Sequence, residues 1–200
     1  MGTSTFSGAV RSEGGFQIVT KESTGEMTVN SEMGSIATLP TEAGTGITTG
    51  TGTVYKSSVT EQGGIITTQI MIDLTGLRST AIGDIIGVDG TALACHIGQI
   101  TAARNGTILT GRMTCFEAPT GGDPDINVYS ATEGTGIEDQ AISALAETLL
   151  VNAGDATLGS EVIFSAVPAA DEYLYLVCGA LTDADFTAGK LLIELKGYRA

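Results

Sequence analysis

The chain has 200 residues and a formal net charge of −14 at pH 7. A surface with this charge repels phosphate backbones, which argues against a nucleic-acid partner. No stretch of 18 apolar residues occurs, and the N-terminus lacks a basic segment followed by an apolar one, so we predict neither a membrane span nor a signal peptide. Aromatic residues are only 5%, while glycine occurs 28 times. This composition favours a turn-rich β protein whose core consists of Ile, Leu, Val and Ala.

The first 53 residues are rich in Gly, Ser and Thr, with short apolar islands at residues 16–19 and 36–39. Such a segment has little apolar area with which to offset the entropy lost on ordering. Two interpretations remain open: a flexible tail, or an arm that adds strands to a neighbouring subunit. We therefore predict an extended N-terminal arm over residues 1–53 and a β domain over residues 54–200.

Residues 54–74 form the clearest strand pattern. Apolar and polar residues alternate with period two after Gly63-Gly64, as expected of a half-buried antiparallel strand. The two glycines supply the positive φ angles that a two-residue hairpin turn needs. The sequence predicts a β-hairpin here.

A second hairpin is predicted at Asn105-Gly106, because Asn-Gly between strand-like segments is a strong hairpin signal. Residues 91–103 would pair with residues 107–117. Further strands are predicted at residues 84–88, 126–129, 148–151, 161–167, 173–178 and 190–198. Residues 137–147 have some helical character, so at most one short helix is expected. About eight or nine strands with this spacing predict an all-β, antiparallel β-sandwich or jelly-roll-like domain.

Residues with catalytic chemistry are few. His96 is the single histidine, and its neighbour Cys95 would point to the opposite face of a strand, so the two cannot form a nucleophile–base pair. Cys95, Cys115 and Cys178 lie in apolar strand-like segments, where buried free thiols are the favoured interpretation. We expect a protein that is not an enzyme and that binds no cofactor.

Two acidic turns are candidate ion sites. Asp123, Asp125 and Glu133 carry the oxygens that hard cations prefer, but their spacing is weak support and a solvated turn is favoured. Asp183 and Asp185 have the same status.

Several stretches together resemble one family: residues 7–12 with Gly15-Phe16, residues 50–59, 73–79 and 83–87, and residues 172–176 and 184–190. They are similar to virion structural proteins of tailed phages that infect aquatic bacteria. Within that group, size and composition resemble capsid decoration (cement) proteins, which are small, acidic and β-rich.

This resemblance implies a protein made in the host cytoplasm and located on the capsid surface of the virion, as a homotrimer bound to the major capsid protein. It would bridge neighbouring capsomers. The expected partner-binding anchors on the arm are Phe6, Val10, Arg11, Phe16, Ile18 and Val19. A fibre or receptor-binding module is the alternative function, and a glycan-active virion enzyme using Asp123 and Asp125 is a third.

Overall fold

The computed structural model describes residues 16–21, 27–33, 42–90 and 92–199, the first two ranges as backbone strands only. The fold is all-β, as predicted, but the described residues form two short α-helices, α1 (Thr45–Thr48) and α2 (Ala102–Asn105), whereas the sequence predicts at most one. The strands are β1 (Phe16–Lys21), β2 (Met27–Met33), β3 (Val54–Gln62), β4 (Ile65–Asp73), β5 (Arg78–Ser79), β6 (Gly98–Gln99), β7 (Thr107–Thr120), β8 (Ile126–Ala131), β9 (Glu147–Val151), β10 (Glu161–Ile163), β11 (Tyr173–Cys178), β12 (Ala184–Asp185) and β13 (Ala188–Tyr198).

Two larger sheets make up the β-sandwich. The first has five strands in the order β10-β7-β13-β4-β3, and the second has four in the order β6-β11-β8-β9. Their strand pairs are all antiparallel. Buried side chains of both sheets belong to one continuous core, including Ile70 and Ile193 of the first sheet and Val128 and Leu176 of the second. Strand β11 is buried from Leu174 to Cys178, and residues 84, 86 and 97 form backbone hydrogen bonds along one of its edges.

The predicted hairpin at residues 54–74 is confirmed. Strands β3 and β4 are joined by Gly63 and Gly64, with φ angles of 60° and 79°. Side chains of β4 alternate between buried and accessible positions, with Ile70 and Ile72 fully buried. Local alternation and turn chemistry were sufficient here because both strands are neighbours in sequence.

The second predicted hairpin is wrong. Asn105 ends helix α2 and Gly106 follows it with a φ of 67°, so the Asn-Gly pair is a helix terminus. Strand β7 pairs instead with β10 and β13. The buried Asn105 side chain accepts a hydrogen bond from the Thr101 backbone and donates one to the Thr68 hydroxyl. The two hydrogen bonds stabilise the helix turn, and no short-range pattern reveals the one to Thr68 of β4.

The helix expected within residues 137–147 is reduced to one 3₁₀ turn, Ile142–Ala144, whereas the strand expected at residues 148–151 is present as β9. The terminal strand β13 is the centre of the five-stranded sheet and has β7 and β4 as neighbours.

The packed core extends into the segment predicted to be an arm. Ile47 on α1 is fully buried, and the amides of Gly44 and Gly46 donate to the carbonyls of His96 and Ala94. A Cβ at Gly46 would lie 2.6 Å from the Leu93 carbonyl oxygen, so only glycine permits this approach. Residues 44–53 are therefore part of the globular unit.

Candidate interaction surface

The six predicted arm anchors divide into two groups. Outside the described residues lie Phe6, Val10 and Arg11. On strand β1 lie Phe16, Ile18 and Val19. Strand β1 pairs antiparallel with β2, and a register shift falls between Ile18 and Val19. The apolar island at residues 16–19 thus forms a strand in a two-stranded sheet.

Asp123 is a buried structural carboxylate, which corrects the interpretation of its loop as solvated. Its Oδ1 accepts from the Asp125 amide at 2.9 Å, and its Oδ2 accepts from the Ala180 amide at 2.7 Å. The Asp123 amide donates to the Ser79 hydroxyl. Glu133 is separated from this loop by β8 and accepts from the Ala146 amide. Asp123 and Glu133 therefore each hold a different part of the backbone.

Asp125 lies beside Asp123 with its Oδ1 buried and without a hydrogen-bond partner. Burial raises the pKa of Asp125, and the negative charges of Asp123 and Asp155 raise it further. A Cβ at position 179 would lie 2.1 Å from this oxygen, so Gly179 is needed for the close approach. The described residues contain no group of three or more His, Cys, Asp or Glu side chains arranged to hold a metal ion.

The second acidic turn is paired with Arg78. The guanidinium lies 2.8 Å from Asp183, 2.9 Å from Asp185 and 4.0 Å from Asp89. Its contacts raise the pKa of Arg78, the hydrogen bond to Asp185 being the largest cause. An open cleft of about 350 Å³ adjoins Arg78, and Glu138 forms part of its wall. The pairing links residues more than one hundred positions apart, so spacing alone did not indicate it.

His96 and Cys95 are packing residues. The His96 ring lies edge-on to Tyr173 with centroids 4.9 Å apart, and burial lowers its pKa. Burial also raises the pKa of the Cys95 thiol to about 11 and that of Cys178 to about 12. With Cys115, these thiols are free and buried, as predicted. A thiol with a raised pKa is a poor nucleophile near neutral pH.

The five-stranded sheet has an outer face formed by the side chains that alternate with the core residues. We define this outer face by Val54, Lys56, Ile65, Thr67, Gln69, Met71, Asp73, Thr110, Arg112, Thr114, Glu117, Glu161, Ile163, Lys190, Leu192, Glu194, Lys196 and Tyr198. The assignment follows from the strand registers, because residues directly opposite in a sheet share a face.

Ion pairs cross this outer face at two levels. Glu194 lies 3.0 Å from Arg112 and 3.4 Å from Lys196, and Arg112 also contacts Glu161 at 3.0 Å. Burial would raise the pKa of Glu194, but the Gln69 amide and the two cations outweigh burial and hold it below its usual value. At the second level Lys190 contacts Asp73 and Glu117. Four of the five strands, β10, β7, β13 and β4, are thereby linked by charges that distant parts of the chain supply.

Apolar side chains lie between and beside these ion pairs. Exposed large hydrophobic residues on the outer face are Val54, Ile65, Met71, Ile163 and Tyr198. Two more, Leu109 and Phe116, lie at register shifts of β7 beside the face. The outer face therefore combines ion-paired charges with accessible apolar side chains.

Comparison with known proteins gives no relative: no family model, curated protein or solved structure matches the chain. Among the described residues, no helix is both long and apolar enough to span a membrane.

Proposed function

We propose that this chain is a virion structural protein of the capsid decoration class, which binds the outer shell and bridges neighbouring capsomers. The observation that carries the proposal is the separate two-stranded sheet, β1–β2, that precedes a β-sandwich domain. Its first strand contains three of the apolar residues expected to anchor an arm, Phe16, Ile18 and Val19, and strand-forming arms are a common means of joining protein subunits.

The sequence resemblance described above is the second support. The residue types that could take part in catalysis or ligand binding have structural contacts here. Asp123 accepts hydrogen bonds from backbone amides, Arg78 pairs with Asp183, and His96 packs against Tyr173. Each contact to a neighbouring capsomer would favour the assembled state by mass action, since only the assembled shell offers both binding surfaces. The domain would act as a rigid spacer between such contacts.

The first test is the copy number of this protein relative to the major shell protein in purified particles, measured by quantitative mass spectrometry. Decoration predicts near-stoichiometric abundance. A few copies per particle would favour the fibre or receptor-binding alternative, and absence from particles would overturn the virion assignment.

The second test addresses the arm. Full-length protein with the apolar anchors replaced by serine should lose at least tenfold in affinity for purified undecorated shells, because each anchor buries apolar area at the contact. The replaced residues are Phe6, Val10, Phe16, Ile18 and Val19. A matched control carries Ser4→Ala and Ser7→Ala and should bind normally. Unchanged binding of the serine variant would show that the arm does not anchor the protein to the shell. The copy-number measurement would still test whether the protein decorates the capsid.

A further inference from the structure

The outer face differs from the rest of the protein in charge. It carries four cations, Lys56, Arg112, Lys190 and Lys196, and four carboxylates, Asp73, Glu117, Glu161 and Glu194. These charges sum to zero, although the whole chain carries −14. The surplus negative charge therefore belongs entirely to residues outside the outer face.

Seven of the eight charges on the outer face are already paired within one chain, and Lys56 is the exception among the described residues. Glu194 has Arg112 and Lys196 as partners, and Lys190 has Asp73 and Glu117. Covering an isolated charge costs several kcal/mol of desolvation, whereas a paired and hydrogen-bonded charge can be covered at a much lower cost. These seven charges can therefore lose their water while each keeps a partner, and the exposed Lys56 is the one charge of the outer face that needs a partner from the opposite surface.

Accessible apolar groups supply the attraction. The Ile163 side chain is 68% exposed, and Met71 and Tyr198 are 38% and 39% exposed. A shallow depression of about 350 Å³ lies between Ile163, Arg112 and Lys196 and offers a place for a protruding side chain. Removal of such apolar area from water is favourable at roughly 25 cal/mol per Å².

We infer that the outer face is a two-fold contact between two copies of this chain. A basic partner would be attracted to the acidic remainder of the surface, whereas a second copy, itself strongly acidic, is repelled there. The neutral outer face is the surface on which two such copies meet with the least repulsion. A two-fold axis places the same patch on both sides, so the cations of one copy can lie against carboxylates of the other.

The size of the outer face suits this contact. Five strands spaced about 4.8 Å apart, with lengths from 3 to 14 residues that average about nine, cover roughly 700 Å². Each partner in a standard protein interface buries about 800 Å². The contact joins copies in pairs, and it is distinct from the head-to-tail contact that the homotrimer implied by the resemblance would use.

The test is the molar mass of the full-length protein by light scattering during size-exclusion chromatography at micromolar concentrations. We expect a mass corresponding to an even number of chains. Ile163→Lys and Met71→Lys, which add a charge to each copy at the contact, should at least halve that mass. The matched control is Ile82→Lys, since Ile82 is 67% exposed and lies outside the outer face, and this variant should keep the wild-type mass.

Circular dichroism melting confirms that each variant is folded before its mass is interpreted. Association should strengthen as salt is raised, because salt screens the repulsion between two acidic copies. A monomer at all concentrations, an odd number of chains, or an assembly unaffected by both outer-face variants would overturn the inference. These measurements need no virion particle, so their outcome is independent of the proposed function.

Discussion

At the residue scale, Asp123 fixes the loop between β7 and β8 against the segment that follows β11. Its two oxygens accept hydrogen bonds from the Asp125 and Ala180 amides. Hydrogen bonds to a charged group contribute about 1.5–3 kcal/mol each. We expect Asp123→Ala to lower the free energy of unfolding by about 3 kcal/mol in urea titrations. Asp183→Ala, at an exposed ion pair, should cost less than about 1 kcal/mol. Equal losses in the two variants would contradict the structural role.

Glu138 makes stability depend on pH. Its side chain is 7% exposed, and its Oε1 has no hydrogen-bond partner. Burial raises the pKa of Glu138, and Asp139 and Asp89 raise it further, against the lowering effects of the Gly90 amide and Arg78. Because the folded pKa exceeds the unfolded value, the folded state holds the proton more tightly. Its stabilising contribution is present below the unfolded pKa and is lost as the pH rises through the folded pKa.

Glu138→Gln removes this titration while it keeps the shape of the side chain. We expect the variant to melt at a higher temperature than the wild type at pH 7, with a difference that shrinks below the ordinary glutamate pKa. The other titrating groups contribute equally to the pH dependence of both proteins, so their contributions cancel when the variant is compared with the wild type. Glu147→Gln at an exposed position is the control and should show no such trend. A variant less stable than the wild type at neutral pH would disprove the raised pKa.

At the element scale, helix α2 is held by one buried amide. Asn105 bonds the Thr101 amide at 2.9 Å and the Thr68 hydroxyl at 2.7 Å. We expect Asn105→Ala to lose about 2–3 kcal/mol, because it leaves the buried Thr68 hydroxyl unpaired. Thr68→Val in the same chain should recover part of this loss. A double-mutant cycle from urea unfolding measures the coupling, and strictly additive losses would mean that the two side chains do not interact.

The elements that the sequence predicted correctly are those with short-range signals. The β3–β4 hairpin follows from alternation and two glycines, and β11 follows from its continuous apolar stretch. The hairpin predicted at Asn105-Gly106 is wrong because the conformation of this pair depends on Thr68, a partner that is distant in sequence. The ion pairs of the outer face escaped prediction for the same reason: Arg112 and Glu194 meet only through the register between β7 and β13.

At the scale of the whole molecule, α1 decides where the globular unit begins. Ile47 is fully buried among residues of the common core, although its surroundings in sequence are glycine and threonine. We expect Ile47→Ala to lower the free energy of unfolding by about 2–4 kcal/mol, as is typical of a core truncation. Ile82→Ala, at an exposed position, should change it by less than about 0.5 kcal/mol. An unchanged free energy of unfolding for Ile47→Ala would mean that residues 44–53 belong to the arm and not to the globular unit.

The surplus of negative charge governs how the whole molecule responds to salt. Ion pairs engage Arg78, Arg112, Lys190, Lys196 and Arg199, so the surplus carboxylates outnumber the remaining cations and repel one another. Each exposed ion pair contributes less than about 1 kcal/mol and is itself weakened by salt. We expect the melting temperature to rise as NaCl is increased to about 0.15 M, where the Debye length falls to about 8 Å. Measuring Met71→Lys in parallel separates this effect from self-association. A falling melting temperature would mean that the ion pairs of the outer face outweigh the surplus charge.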